Sequence, residues 1–295
     1  MFRWLAIAIS IFASSATAQS VSVETHAGVI DAPVAPGKVV VLDIPAIDTL
    51  AALGVAVDGI VGPLYVDYLD QAVEGAEKVG SLFEPDYEKI AALRPDLIIA
   101  GGRSQAAIPD LSKLAPTLDM TIWEDTVGQS LARLSAYGAI FGKETEAAEL
   151  KDVFETKLAA ARNASTGKGK AMIVMTNGPK ISAYGAAGRF GWIHTELGLA
   201  EAIDGMQDTP HGEAISFEFI RDANPDILLV IDRQAAIGQP GEAASVTLDN
   251  ALVQETNAWK SGKVIYLDSA RIYVAGGGYQ ALIHTFDQIA TALAD

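Results

Sequence analysis

The stretches DYEKIAALRPDLIIAGGR, from Asp86 to Arg103, and SFEFIRDANPDILLVIDR, from Ser216 to Arg233, are two copies of one pattern. At a constant offset of 130 residues they share Glu88/Glu218, Ile90/Ile220, Pro95/Pro225, Asp96/Asp226 and Arg103/Arg233. Each copy reads as a short helix, a Pro-Asp turn, an apolar strand, and an arginine just past the strand's end. Helix-turn-strand units can look alike by chance, but the matched Glu and Arg have no packing reason to recur. One copy in each half of the chain predicts two similar lobes.

Working outward, short apolar runs alternate with helical stretches. Val39–Leu42, Val55–Val61, Leu97–Ala100 and Ala171–Met175 read as strands, and Ala46–Leu53 as a helix stopped by Gly54. Continuous apolar runs of this kind suit parallel sheets covered on both faces, which places the chain in the α/β class. Between Val127 and Asn163 the pattern becomes helical throughout, interrupted at Gly142. The second part, without a turn signal, predicts one helix of about 20 residues acting as a spine between the lobes. The expected organisation is an N-terminal lobe over 19–142, a linking helix over 143–166 and a C-terminal lobe over 167–295, in a chain large and apolar enough to build two cores.

At the start, Arg3, the apolar run Trp4–Ala13 and Ala16-Thr17-Ala18 have the order of a cleavable export signal, expected to be removed after residue 18. The apolar run is too short for a membrane anchor. The chain contains no cysteine, so disulfides, thiolate metal sites and lipid attachment at a cysteine are all ruled out. The formal net charge is −16, a field that repels nucleic acid and anionic lipid. Any anionic ligand must therefore be held by a local group of cations.

Such a group can be assembled on paper. Ligands of open α/β sheets sit outside the carboxyl ends of the strands, where Arg103 and Arg233 fall, one from each half. Two guanidinium forks facing one cleft point to an anion. A third, Arg189, lies in the Gly- and aromatic-rich SAYGAAGRFGW (Ser182–Trp192), whose Tyr184 and Trp192 read equally well as ligand contacts or as core. His211 is either a ligand or an exposed loop residue. Tyr273 leads into Gly276-Gly277-Gly278 and reads as a tyrosine at a strand end, able to reach a ligand or to pack in the core. His194 and His284 read as structural and His26 as a surface residue. No nucleophile elbow, HExxH or phosphate loop is present, and the histidines lack metal-ligand spacing.

VGSLFEPDYEKIAALRPDLIIAGGR, GRFGWIHTELG, HGEAISFEFIRDANPDILLVIDR and RIYVAGGG resemble the helical-backbone (class III) periplasmic binding proteins, and among them the FatB/CeuE-like ferric-siderophore receptors of ABC importers. The resemblance implies two Rossmann-like lobes joined by a single long helix, and no enzymatic activity. It implies that Arg103, Arg189 and Arg233 surround an iron–catecholate centre. His211 and Tyr273 would complete the shell of Fe(III) when a siderophore supplies only four donors. Glu88 and Glu218 would dock on an inner-membrane ABC permease. A monomer free in a periplasm, with no intrinsic cofactor, is expected. The alternatives are a haem or corrinoid receptor of the same architecture and a secreted α/β hydrolase acting on an anionic ester. At an effective dielectric of about 20 and a separation of about 5 Å, each arginine–ligand charge pair is worth on the order of 3 kcal/mol before desolvation.

Overall fold

The computed structural model describes residues 19–206, 209 and 211–294. The expected leader lies outside the described residues. Thirteen strands are present among them: β1 (Ser20–Thr25), β2 (Gly28–Pro33), β3 (Val39–Val41), β4 (Gly59–Ile60), β5 (Glu77–Lys78), β6 (Leu97–Ala100), β7 (Thr117–Asp119), β8 (Lys170–Asn177), β9 (Lys180–Tyr184), β10 (Ala200–Glu201), β11 (Glu213–Ile215), β12 (Ile227–Asp232) and β13 (Val264–Tyr266). In the N-terminal lobe a parallel sheet runs β5-β4-β3-β6-β7. Strand order reverses between β3 and β6, so their carboxyl ends open a crevice at a topological switch point. In the C-terminal lobe the order is β11-β9-β8-β12-β13, with β12 parallel to both neighbours and β9 antiparallel to β8 and β11. The β1–β2 hairpin stands apart as an added antiparallel ribbon.

The internal repeat is structurally exact at its polar points. Helices Tyr87–Leu93 and Phe217–Ala223 are capped by Asp86 and Ser216, whose side chains accept from the backbone N–H of Lys89 and Phe219. Both helices end on a left-handed residue, Arg94 and Asn224. The recurring aspartate then ties the next strand to the first strand of its lobe. Asp96 Oδ2 accepts from Lys38 N at 2.8 Å, and Asp226 Oδ2 accepts from Lys170 N at 2.9 Å. That aspartate is conserved between the copies because it latches β6 to β3 and β12 to β8.

The lobes are joined by the helix Glu144–Ser165, 22 residues or about 33 Å long. Ala147, Phe154, Leu158 and Ala161 form its buried stripe. The C-terminal helix Tyr279–Ala292 lies against it, with the Phe154 and Phe286 rings edge-on at 5.1 Å and Tyr279 Oη donating to Leu150 O at 3.0 Å. This helix also meets the N-terminal lobe. Asp48, fully buried in the helix Ile44–Ala52, accepts from Gln280 N at 2.6 Å, from Ala281 N at 3.1 Å and from the Tyr68 hydroxyl. Two apolar clusters are present among the described residues, but they do not divide one to each lobe. One apolar cluster runs from Val23 through the spine to Leu293, and a second covers only the outer face of the C-terminal sheet around Val174, Ile220 and Leu248. The C-terminal helix bridges the lobes and fuses their inner cores.

Two local expectations also change. Val55–Val61 contributes only the two-residue β4, because the chain turns through Asp58, whose carboxylate is engaged by Val39 N at 2.8 Å. Arg271–Tyr273 lies in the helix Ser269–Tyr273 and not at a strand end, because Asp268 caps it by accepting from Arg271 N. Among the described residues, no helix is long and apolar enough to cross a membrane.

Candidate functional site

Arg103 follows β6 in a tight turn of helix, and Arg233 opens the short helix after β12. They hold equivalent places at the carboxyl ends of the two sheets, as their repeat positions predict. Arg189 comes from the loop after β9. Gly191 is required there, since a Cβ would stand 2.0 Å from Ala186 O. The resulting turns, with Gly188 N donating to Gly185 O and Gly191 N to Gly188 O, aim the Arg189 side chain inward.

All three arginines converge on Tyr273. Arg103 Nη2 and Arg189 Nη2 both donate to Tyr273 O, at 2.9 and 2.5 Å. Arg233 Nε donates to the Tyr273 hydroxyl at 3.2 Å, and its Nη1 reaches Asn177 Oδ1 at 3.5 Å. The guanidinium carbons lie 5.4, 4.4 and 6.0 Å from the centre of the tyrosine ring, for Arg103, Arg189 and Arg233 respectively. Among the described residues none of the three forms an ion pair with a carboxylate. In a chain of net charge −16, three half-buried cations that meet carbonyls, an amide, a phenol hydroxyl and aromatic faces form a cage suited to an anion.

The titrations agree with this picture. Burial, and next the charge of Arg103, hold the Arg189 guanidinium below its ordinary value. Burial pushes the Tyr273 phenol upward, but the hydrogen bond from Arg233 and the charges of all three arginines outweigh it and leave its pKa lowered. The protein thus favours a negative charge at this point.

The remaining expected residues divide. Tyr184 is only 3 % exposed and packs in the core beside the site. Its ring meets Phe190 edge-on at 4.8 Å, its hydroxyl points to Met175 Sδ at 3.8 Å, and burial raises its pKa to about 12. Trp192 is largely buried against Phe286 but helps to line a cleft beside Arg189. His211 is exposed in the turn before β11, with no hydrogen bond to the arginine cage among the described residues. Its loop is nonetheless close: a Cβ on Gly212 would touch the Tyr184 ring at 2.9 Å. Glu88 and Glu218 are exposed in the first turns of the two repeat helices, one per lobe. His194 is buried with Nδ1 2.9 Å from Leu199 O, as its helical context suggests.

Sequence reading missed the groups that brace the site. Arg271, two residues before Tyr273, stacks on the Tyr68 ring at 3.7 Å and pairs with Asp268 at 2.9 Å. Through Tyr68 and Asp48 this fixes the tyrosine-bearing helix to the N-terminal lobe. Asp43, buried at the end of β3, lies behind Arg103, and burial raises its pKa to about 6. No local sequence signal marks these contacts, which join residues up to 233 positions apart.

The sequence pattern of the periplasmic binding protein family matches residues 39–270. The chain is 36 % identical over 266 residues to the petrobactin-binding protein YclQ of Bacillus subtilis, covering 88 % of this chain and 84 % of that one. It is 31 % identical to the ferric-anguibactin-binding protein FatB of Vibrio anguillarum, over 86 % of this chain and 81 % of FatB. The crystal structure of YclQ superposes with a TM-score of 0.87 over 94 % of this chain and 99 % of YclQ. That of the periplasmic catecholate-siderophore binding protein VctP of Vibrio cholerae gives 0.85 at 28 % identity, over 92 % of this chain and all of VctP. With two Rossmann-like lobes on a single helical spine and this similarity along nearly its whole described length, the chain belongs to the periplasmic binding protein family, in its helical-backbone class III.

Proposed function

We propose that the protein is the solute-binding component of an ABC importer, exported to the periplasm, which captures a ferric siderophore between its lobes and delivers it to the permease. The observation that carries this reading is the carboxylate-free convergence of Arg103, Arg189 and Arg233 on Tyr273. A ferric tris-catecholate centre carries three negative charges, which three guanidinium groups would balance. The cage therefore favours a catecholate chelate, in which the iron enters with its chelator's negative charge. The relatives, which are siderophore-binding proteins by name, favour this over the haem, corrinoid and hydrolase alternatives. The cleft acts by binding without turnover, and the protein works as a monomer with no cofactor of its own.

Tyr273 has two roles in this reading. Without ligand its carbonyl and ring hold the arginines in place, limiting the reorganisation needed on binding. With a chelator that offers four donors, the lowered phenol pKa lets tyrosinate, a hard oxygen donor, complete the iron shell. His211 supplies the sixth donor from its loop beside Tyr184. Glu88 and Glu218, matched in the two lobes, meet basic sites on the permease. Titration with ferric siderophores, haem and cobalamin, followed by the fluorescence of Trp123, Trp192 and Trp259, tests the assignment. Saturable quenching by ferric catecholates supports it, and binding of haem alone overturns it.

A further inference from the structure

Next to the arginine cage, and sharing Arg189 with it, the lobes form a cleft of about 380 Å³. The N-terminal lobe contributes Trp123 through Thr126, and the C-terminal lobe contributes Ala186 through Arg189 with Trp192 and Glu196. Trp123 is 52 % exposed. A lone exposed indole on a convex surface would carry no message, but this one walls a cavity that reaches the proposed binding site. Its backbone is fixed, since Trp123 N donates to Gln129 Oε1 at 2.7 Å on the following helix. Ala186, Ala187 and Gly188 line the same cleft and bring little bulk to it.

The charge lining this cleft is opposite to that of the cage. Glu124, Asp125 and Glu196 bring three carboxylates, against the single cation Arg189. Arg189 is turned onto Tyr273 O, at 2.5 Å. Glu196 is answered by Arg162 at 3.0 Å, and Asp125 Oδ1 accepts from Gly128 N at 2.9 Å. Glu124 forms no ion pair among the described residues. An indole face next to an uncompensated carboxylate recognises a cation lying against it, such as an ammonium carried on a chain.

We infer that this cleft is a specificity subsite, with Trp123 and Glu124 as its selecting residues, for a protonated amine-bearing arm of the ligand. It rests on the siderophore reading above and adds that the preferred chelate joins an anionic iron centre to a cationic arm. The N-terminal lobe then takes part in ligand choice, although Arg189, His211 and Tyr273 all come from the other half.

Calorimetric titration with two synthetic ferric tris-catecholates tests it, the pair being identical at iron but carrying either a secondary amine or a methylene in the linker. The wild-type protein is expected to bind the amine form about tenfold more tightly at low salt, with the ratio narrowing as salt rises. Trp123→Leu and Glu124→Gln, each checked for fold by circular dichroism, are expected to bring the ratio towards one. A wild-type ratio of one, or a ratio unmoved in both variants, overturns the subsite. Failure of both complexes to bind the wild-type protein overturns instead the siderophore reading on which it rests.

Discussion

Replacing Asp48 by asparagine should change how the stability of the protein depends on pH. Asp48 is fully buried and accepts from Gln280 N, Ala281 N and the Tyr68 hydroxyl at the junction of the lobes. Burial pushes its carboxyl up to about 6 from an ordinary 3.8, against the opposing pull of these hydrogen bonds and of Arg271. A carboxyl whose folded pKa is raised holds its proton more tightly in the native state than in the unfolded state. Its contribution is therefore fully present below about pH 3.8 and is lost as pH rises through about 6. The shift of about two units is worth about 3 kcal/mol in all, of which about 2 kcal/mol falls between pH ~4.5 and ~7.5. Asparagine cannot titrate, so the variant lacks this slope. Asp43 titrates in the same range but is common to both proteins and cancels in the comparison. Urea unfolding at the two pH values measures the difference. The variant should gain about 2 kcal/mol relative to wild type on going from the lower to the higher pH, whatever its absolute stability. A difference independent of pH, or one moving the other way, would refute the reasoning.

Three further outcomes follow from the site and its supports. Tyr273 should be the first tyrosine to ionise as pH rises in the ligand-free protein, seen as an ultraviolet phenolate band below the ordinary value of 10 and missing in Tyr273→Phe. Arg133 is 2 % exposed and donates to the carbonyls of Glu24, Met120 and Thr121. Arg133→Met should cost about 3 kcal/mol in urea unfolding, because those acceptors lose their donor together. Gly191→Ala places a methyl 2.0 Å from Ala186 O and must displace the loop that carries Arg189. Affinity for a ferric catecholate should then fall by about tenfold or more, as read by fluorescence titration.

The two-lobed plan was legible because the repeat places the same polar residues at the same structural points. Asp96 and Asp226 latch neighbouring strands, and Arg103 and Arg233 leave equivalent strand ends. The spine was legible from unbroken helical patterning after Gly142. What stayed hidden depends on contacts distant in sequence. Asp48 stands among small and apolar residues in a short helix, and only its partners on the last helix explain a buried carboxylate there. Tyr273 follows an isoleucine and precedes a valine, a β-favouring run that the Asp268 cap and packing on Tyr68 turn into helix. Tyr184 and Trp192 read as ligand contacts or core on sequence alone, and their burial follows from partners distant in sequence, Met175 for Tyr184 and Phe286 for Trp192. Arg189 was legible as a third cation in a glycine- and aromatic-rich loop, while its place at the iron centre came only from the family resemblance.

The central claim is that Arg103, Arg189 and Arg233 together hold the iron-bearing anion. Its most direct measurement is the dissociation constant of a ferric tris-catecholate for the wild-type protein and for Arg103→Ala, Arg189→Ala and Arg233→Ala, at two ionic strengths. Each charge pair is worth on the order of 3 kcal/mol before desolvation, so each substitution should weaken binding by about tenfold or more. The wild-type affinity should also fall more with salt than that of any variant. Affinities unchanged in the Arg103→Ala and Arg233→Ala proteins would contradict the account.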